Sequence, residues 1–460
     1  MTREHVTEQA EARVEEMVRE TLHAVALDRV WAPGDLADKV VRRRGRRRFS
    51  QAAGAATAVA AITVVAVLGF GGGGTAEQHG PVRPAASPEG WKPWASDDPG
   101  ADERGCLVDG SALYCAGSEY DAAKIDANTG KRLWTVKVNR EGDGFDHPVA
   151  VRDGVVYAYR NHTSENLPNG NYRGGTDLMA VDAGDGHLLW SVEMPQDDRS
   201  DQAAMLIDGA VVANTPSLRT MSALDPLTGK EKWRHTWDKG IACQRAVLSD
   251  TPYLLCTRDA GKPDDSGTDI FRLDPATGSA GKVTTIPGRQ SLVGTSEGRL
   301  VLIEENDAFS ADKKLTTVSG SGQRTSHRYR VEGTTVVASE IVGDRLISVS
   351  RQGKASAYSL TTGKTLWTGP VGIEMPDQDL MQGIASPVVS DGQGVVYFFG
   401  PTGDLSALDL LTGDQVWHGH VDIDKPGPDF GDSAQLLLYK DVLIARSGNR
   451  IDSFLPRISD

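Results

Sequence analysis

Cysteine is scarce in this 460-residue chain, and none of the four, Cys106, Cys115, Cys243 and Cys256, adjoins another. The glycine run at 69–74 has no Lys-Ser or Lys-Thr after it, so no phosphate loop is written here. Basic charge is also short, with 49 Lys and Arg against 63 Asp and Glu, a formal net charge of -14. A nucleic-acid scaffold needs cationic patches to displace counterions, and this balance excludes one. Long hydrophobic runs are missing except at 51–70, QAAGAATAVAAITVVAVLGF, which holds no charged residue. With 39% hydrophobic residues the chain can still bury a sizeable core.

The uncharged run has the roughly 20-residue length of a membrane-spanning helix. It follows six arginines in RRRGRRR at 42–48, and arginine clusters stay on the cytoplasmic side. The expected organisation is a cytoplasmic helical segment at 1–48, a transmembrane helix at 49–70, a Gly/Pro/Ala-rich linker at 71–87 and an extracytoplasmic domain at 88–460. The same residues also read as a signal peptide cleaved after Ala76, but a charged leader of this length exceeds an ordinary n-region. Within the first segment, Val6, Ala10, Val14, Val18, Leu22 and Val25 recur at helical spacing, which makes an amphipathic helix.

One phrase recurs after the linker: IDANTGKRLW from Ile125, VDAGDGHLLW from Val181, LDPLTGKEKW from Leu224, YSLTTGKTLW from Tyr358 and LDLLTGDQVW from Leu408. A sixth copy from Leu273, LDPATGSAGKV, has lost the Trp, and the copies begin 43 to 85 residues apart. Repetition on this scale, with short apolar runs and Gly or Asp turns before each copy, describes the four-stranded blades of a β-propeller. In each copy the Asp can bond its own backbone to shape the turn between third and fourth strands. The Gly supplies a positive φ. The Trp, at positions 134, 190, 233, 367 and 417, can fill the wedge between blades.

Six motif strands, one degenerate blade between 287 and 332, and three C-terminal strands predict eight blades. The eighth lacks a fourth strand, and EGWKPW offers one, with Gly90 four residues ahead of Trp94 as Gly413 is ahead of Trp417. Trp91 is expected out of the wedge, on the opposite side of that strand. Each cysteine pair brackets a turn signal, so hairpins centred there place Cys106 opposite Cys115 and Cys243 opposite Cys256 as two disulfides in an oxidising compartment. The alternative is four reduced core thiols.

The Ala-x-Asp-x-x-Thr-Gly-x-x-x-Trp run at 407–417 resembles the tryptophan-docking repeat of the pyrroloquinoline quinone (PQQ)-like β-propellers, and the resemblance extends over about residues 88 to 456. It implies the fold strongly and the function weakly, since that family holds quinone-dependent dehydrogenases, an outer-membrane-assembly lipoprotein and extracellular domains on membrane anchors. Catalytic members carry an adjacent Cys-Cys pair over the cofactor, and this chain has none. Neither PQQ nor another cofactor is therefore expected, and the expectation is a non-enzymatic binding, sensing or scaffolding domain. A PQQ- or metal-dependent oxidoreductase using the central funnel is the alternative. His418 and His420 share a strand face but are too few for a metal site. In such propellers the loops after each fourth strand share a rim with those between second and third strands. That rim would gather Asp143, Asp146, Asp197, Asp198, Asp201, Asp377, Asp379, Asp424, Asp429 and Asp432, a surface suited to a cation or a basic envelope protein, peptide or ligand.

Overall fold

The computed structural model describes residues 82–97, 105–117, 119–137, 148–166, 172–195, 203–258, 267–305, 312–330, 336–375, 384–400, 402–423 and 434–458. The amphipathic segment, the apolar run and most of the linker lie outside the described residues, among which no helix is long and apolar enough to cross a membrane.

Thirty-two strands form eight antiparallel four-stranded sheets, the blades of a propeller. Seven are continuous in sequence: Cys106–Lys137, Ala150–Met194, Ala204–Thr236, Ile241–Ile286, Gln290–Arg330, Val336–Pro370 and Val388–His420. The eighth joins Gln435–Phe454 to the N-terminal strand Trp94–Asp97, which pairs Trp94 with Ser453 and Asp97 with Arg450. Ring closure is thus made by the two ends of the domain, leaving no blade short of a strand.

The repeated phrase folds the same way in each blade. Asp126 Oδ1 accepts the N–H groups of Asn128 (2.8 Å) and Thr129 (3.1 Å), and Gly130 N–H donates to the Asp126 carbonyl (2.8 Å). Asp409 does the same for Leu411 (2.6 Å) and Thr412 (2.9 Å). Blade six has Ser359 at this place, and its hydroxyl accepts the Thr362 N–H at 3.0 Å.

The tryptophan serves the neighbouring blade. Trp134 of blade one seats over Gly186 of blade two and donates its indole N–H to the Ala183 carbonyl at 3.2 Å. Trp190 seats over Gly229 with a bond to Pro226 O (2.9 Å), Trp233 over Gly278 with Pro275 O (2.7 Å), and Trp367 over Gly413 with Leu410 O (3.0 Å). The acceptor is always the residue after the motif Asp or its equivalent, so one turn presents both a flat seat and a carbonyl. Trp94 closes the ring by the same rule: it covers Gly130 of blade one and donates to Ala127 O at 2.9 Å.

Three junctions differ. Blade four offers Val283 against Gly322, and blade five offers His327 against Gly363, so the blades without tryptophan still dock by the same geometry with smaller groups. Trp417 reaches the eighth blade, where the chain break removes the seat glycine, and stacks instead on Phe454 with centroids 6.4 Å apart.

Trp91 corrects the sequence expectation. It is 8% exposed, lies in the core between blades eight and one, and donates its indole N–H to Ser453 Oγ at 2.9 Å. Strand alternation does not apply to it because it precedes the strand, whose first residue is Trp94.

Two substitutions at the closure separate the docking contact from backbone strain. Gly130→Ala adds a methyl that overlaps the Trp94 ring, whereas Gly110→Ala, also at positive φ, meets nothing within 4 Å. Thermal melts are expected to show Gly110→Ala costing about 1 kcal/mol and Gly130→Ala clearly more. Trp91→Ala is expected to cost about 3 to 5 kcal/mol, no less than Trp94→Ala. A Trp91→Ala melt matching the wild type would contradict the buried position.

Candidate functional site

Connections between second and third strands, and from each fourth strand to the next blade, open on one face. All ten rim aspartates, Asp143, Asp146, Asp197, Asp198, Asp201, Asp377, Asp379, Asp424, Asp429 and Asp432, lie outside the described residues. The described parts of this face already hold organised charge. Asp121, fully buried, pairs with Arg160 across blades one and two at 3.1 Å. Glu305 takes Arg289 at 3.0 Å and the Ser291 hydroxyl. Asp404 is partly buried, which by itself raises its pKa, yet hydrogen bonds from the His420 ring (2.9 Å) and the Glu374 N–H (3.4 Å) bring it below the ordinary value. His418 and His420 do share a face, and the His420 ring is turned to Asp404. Blade two stands out on this side, because its second and third strands, Val155–Asn166 and Tyr172–Asp182, form the longest hairpin of the ring.

The opposite face was not anticipated. Every turn between first and second strands, or the strand end leading into it, carries a carboxylate: Asp109, Asp153, Asp208, Asp250, Glu297, Asp344, Asp391 and Asp441, one per blade. Cations tie this ring together. Arg152 of blade two donates to Ile207 O of blade three (2.7 Å) and lies 3.6 Å from Asp250 of blade four. Arg299 of blade five reaches Glu297 (3.0 Å) and Asp344 of blade six (3.8 Å), and Arg345 donates to Leu410 O of blade seven (2.6 Å). The arrangement stitches neighbouring blades and leaves a face of mixed sign. Its sequence signal was an acidic residue between two apolar runs, beside a glycine in six of the eight blades, legible as a turn but not as a ring.

Metal-type donors gather once among the described residues, where Asp182, Asp185 and His187 bring ligand atoms within 4.8 Å of one another in the motif turn of blade two. Asp182 Oδ1 already accepts Gly184 N–H (2.7 Å) and Asp185 N–H (3.2 Å), and the His187 ring bonds Asp185 at 2.7 Å. That hydrogen bond raises the pKa of the exposed His187, while bonds from the His187 backbone and ring lower that of Asp185. The cluster is a turn satisfied by its own partners.

The cysteines pair as Cys106–Cys115 and Cys243–Cys256, directly opposite in the innermost hairpins of blades one and four. The PQQ-dependent members place adjacent cysteines over the quinone. Here each sulfur is committed within one hairpin, so these residues do not fit that group, and no chemistry is derived through it.

A profile of the family described as outer membrane protein assembly factor BamB matches residues 118–306 and 264–451. The chain belongs to this family of PQQ-like β-propellers. Outer membrane protein assembly factor BamB of Burkholderia pseudomallei (strain K96243) is 25% identical over 282 residues, 56% of this chain and 63% of that protein. Serine/threonine-protein kinase AfsK of Streptomyces griseus is 28% identical over 170 residues, 35% of this chain and 19% of the kinase. The chain therefore spans less than two thirds of either curated relative. Among solved structures, BamB from Moraxella catarrhalis superposes with a TM-score of 0.50 at 16% identity, covering 79% of this chain and 99% of that one, a likeness of fold alone.

One titratable group in this family member sits apart from all the surface charge. Glu340, on the innermost strand of blade six, is 7% exposed, opposes Ile347, and has a carboxylate oxygen, Oε2, with no hydrogen-bond partner. Burial pushes its pKa well above the ordinary value of 4.5. Because the folded value is the higher, its contribution to stability is complete below the unfolded pKa and is lost as pH rises through the folded one. Melting temperatures of wild type and Glu340→Gln should therefore diverge with rising pH, the amide variant melting higher at pH 8 and the gap closing toward pH 4.5. Parallel curves would contradict the buried, neutral acid.

Proposed function

We propose that the chain is a membrane-tethered, extracytoplasmic β-propeller that binds proteins as a scaffold without catalysing a reaction. In this reading residues 1–48 are cytoplasmic, 49–70 span the membrane, 71–87 are the tether and the propeller faces the envelope. The observation that carries it is the use made of the repeat. The Asp, Gly and Trp that recur in the sequence are taken up in seating one blade on the next, so chemistry does not account for their repetition, and the loops and outer strands remain as recognition surface. The family profile, named for an assembly factor, is consistent with protein binding. Two disulfides agree with an oxidising compartment, and the arginine cluster before the apolar run agrees with the orientation.

Topology and binding are tested together. Protease added to intact protoplasts should remove the propeller and spare the first 48 residues, left in an amino-terminal fragment that keeps the membrane span, in keeping with the positive-inside rule. A protected propeller would reverse the orientation. Cross-linking of the full chain in its native membrane, followed by affinity recovery, should yield one or more envelope proteins in stoichiometric amount. Recovery of the chain alone would count against the scaffold reading.

A further inference from the structure

Blade five departs from its neighbours in charge as well as in its docking residue. Its outermost strand, Arg324–Arg330, reads RTSHRYR and contains no carboxylate. Side chains alternate across a strand. Thr325, His327 and Tyr329 face blade six, where Tyr329 donates to Ser348 Oγ at 2.8 Å and His327 covers Gly363. Arg324, Ser326, Arg328 and Arg330 therefore line the other side, toward blade four. The register sets Lys314 opposite Arg328 on that side, and Lys314, Arg324, Arg328 and Arg330 are all exposed.

Among the described residues, nothing nearby answers this charge in full. The outer strand of blade four, Ala280–Ile286, reads AGKVTTI and has no carboxylate, and Arg324 donates only to its Thr285 carbonyl at 2.9 Å. The one carboxylate in register with the stripe is Asp312, opposite Arg330. Among the described residues, Lys314, Arg328 and Arg330 make no side-chain hydrogen bond or ion pair. Two outer-strand cations elsewhere are met locally, Arg234 by Glu231 (2.6 Å) and Lys282 by Asp269 (2.8 Å). Like charges directly opposite one another, as at Lys314 and Arg328, oppose sheet formation. In a chain of net charge -14 such a stripe runs against the composition, and folding does not require it.

We propose that this edge of blade five docks an extended acidic segment of a partner protein, added as a fifth strand. The strand Arg324–Arg330 is paired with another strand on one side only, so its other edge is open to an added strand, and beyond that pairing the Arg328 carbonyl accepts the Tyr358 hydroxyl at 3.0 Å. In an added strand, alternate side chains repeat every ~6.8 Å, the interval that separates Arg328 from Arg330, with Arg324 two further steps along. The cations form a line beside backbone hydrogen-bonding groups rather than a spread over a face, which favours a strand over a membrane surface. This inference rests on the protein-binding reading above and gives it a site and a partner chemistry.

The test uses the full chain in detergent and a labelled peptide of alternating Glu and Val, read by fluorescence anisotropy. Saturable binding is expected, weakening with added salt, and weakening by about tenfold when Arg324, Arg328 and Arg330 are all changed to Glu. The single change Arg328→Ala, expected to weaken binding less, keeps the test open if the triple variant does not fold. Lys137→Glu on the outer strand of blade one should leave binding unchanged. The proposal is overturned if a peptide of equal charge with proline at alternate positions binds as well, if the arginine changes have no effect, or if polyphosphate or phosphatidylglycerol vesicles bind in preference. Envelope proteins cross-linked equally by wild type and the triple variant would remove this surface while leaving the scaffold reading intact. Failure of the wild type to capture any would sink that reading instead.

Discussion

Five of the eight blades are seated under an indole that belongs to the blade before. The indole of one blade lies on the glycine of the next and bonds the carbonyl beside the motif Asp or its equivalent, so the turn must be flat, left-handed at one residue and open at its carbonyl all at once. Those three demands select the Asp-x-x-Thr-Gly turn, and they explain why it recurs even where the tryptophan does not. Blade four keeps the seat for an incoming ring, Gly278 for Trp233, and blade five keeps a glycine, Gly322, against Val283, although neither contributes an indole of its own. Donor and receiver are thus separate traits of a blade, and either can change without the other.

Closure puts the heaviest demand on one junction, because blade eight is assembled from strands more than 350 residues apart in sequence. Several contacts converge there. Trp94 seats on Gly130, Trp91 bonds Ser453, and Gln435 clasps both backbone groups of Cys106, accepting its N–H (2.7 Å) and donating to its carbonyl (2.8 Å). Cys106 is at the same time bonded to Cys115, so the innermost hairpin that receives the closing blade is cross-linked. Rigidity in the receiver lets the chain ends dock against a surface already formed, which lowers the conformational entropy that closure must overcome.

The blade count, strand boundaries near the motif and the cysteine pairs opposite one another were all legible, because each follows from spacing that strand geometry fixes. What spacing could not supply was three-dimensional company. Trp91 was misplaced because alternation was extended to a residue outside the strand. Val283 and His327 went unnoticed as docking residues because only the shape of the next blade's turn reveals the role. The carboxylates at the first turns were read one at a time as turn formers, and their ring exists only once eight blades bring them to one face. The ten aspartates chosen for the other rim lie outside the described residues.

Charge is therefore arranged by structural position more than by composition. On the face of the first turns, Arg152, Arg299 and Arg345 reach carboxylates or carbonyls of neighbouring blades, so that face contributes cohesion. Inside, Asp121 is held by Arg160 whereas Glu340 has no cation among the described residues and has its pKa raised by burial. On the outer edge of blade five the cations are exposed, and among the described residues only Arg324 has a side-chain partner, the Thr285 carbonyl. A fold whose repeats already satisfy their own turns and wedges has no internal use for that stripe, and the loss of tryptophan from blades four and five removes the large rings that would otherwise flank it. The junction least constrained by docking is thus the one where surface chemistry was freest to diverge, and it is the one that did.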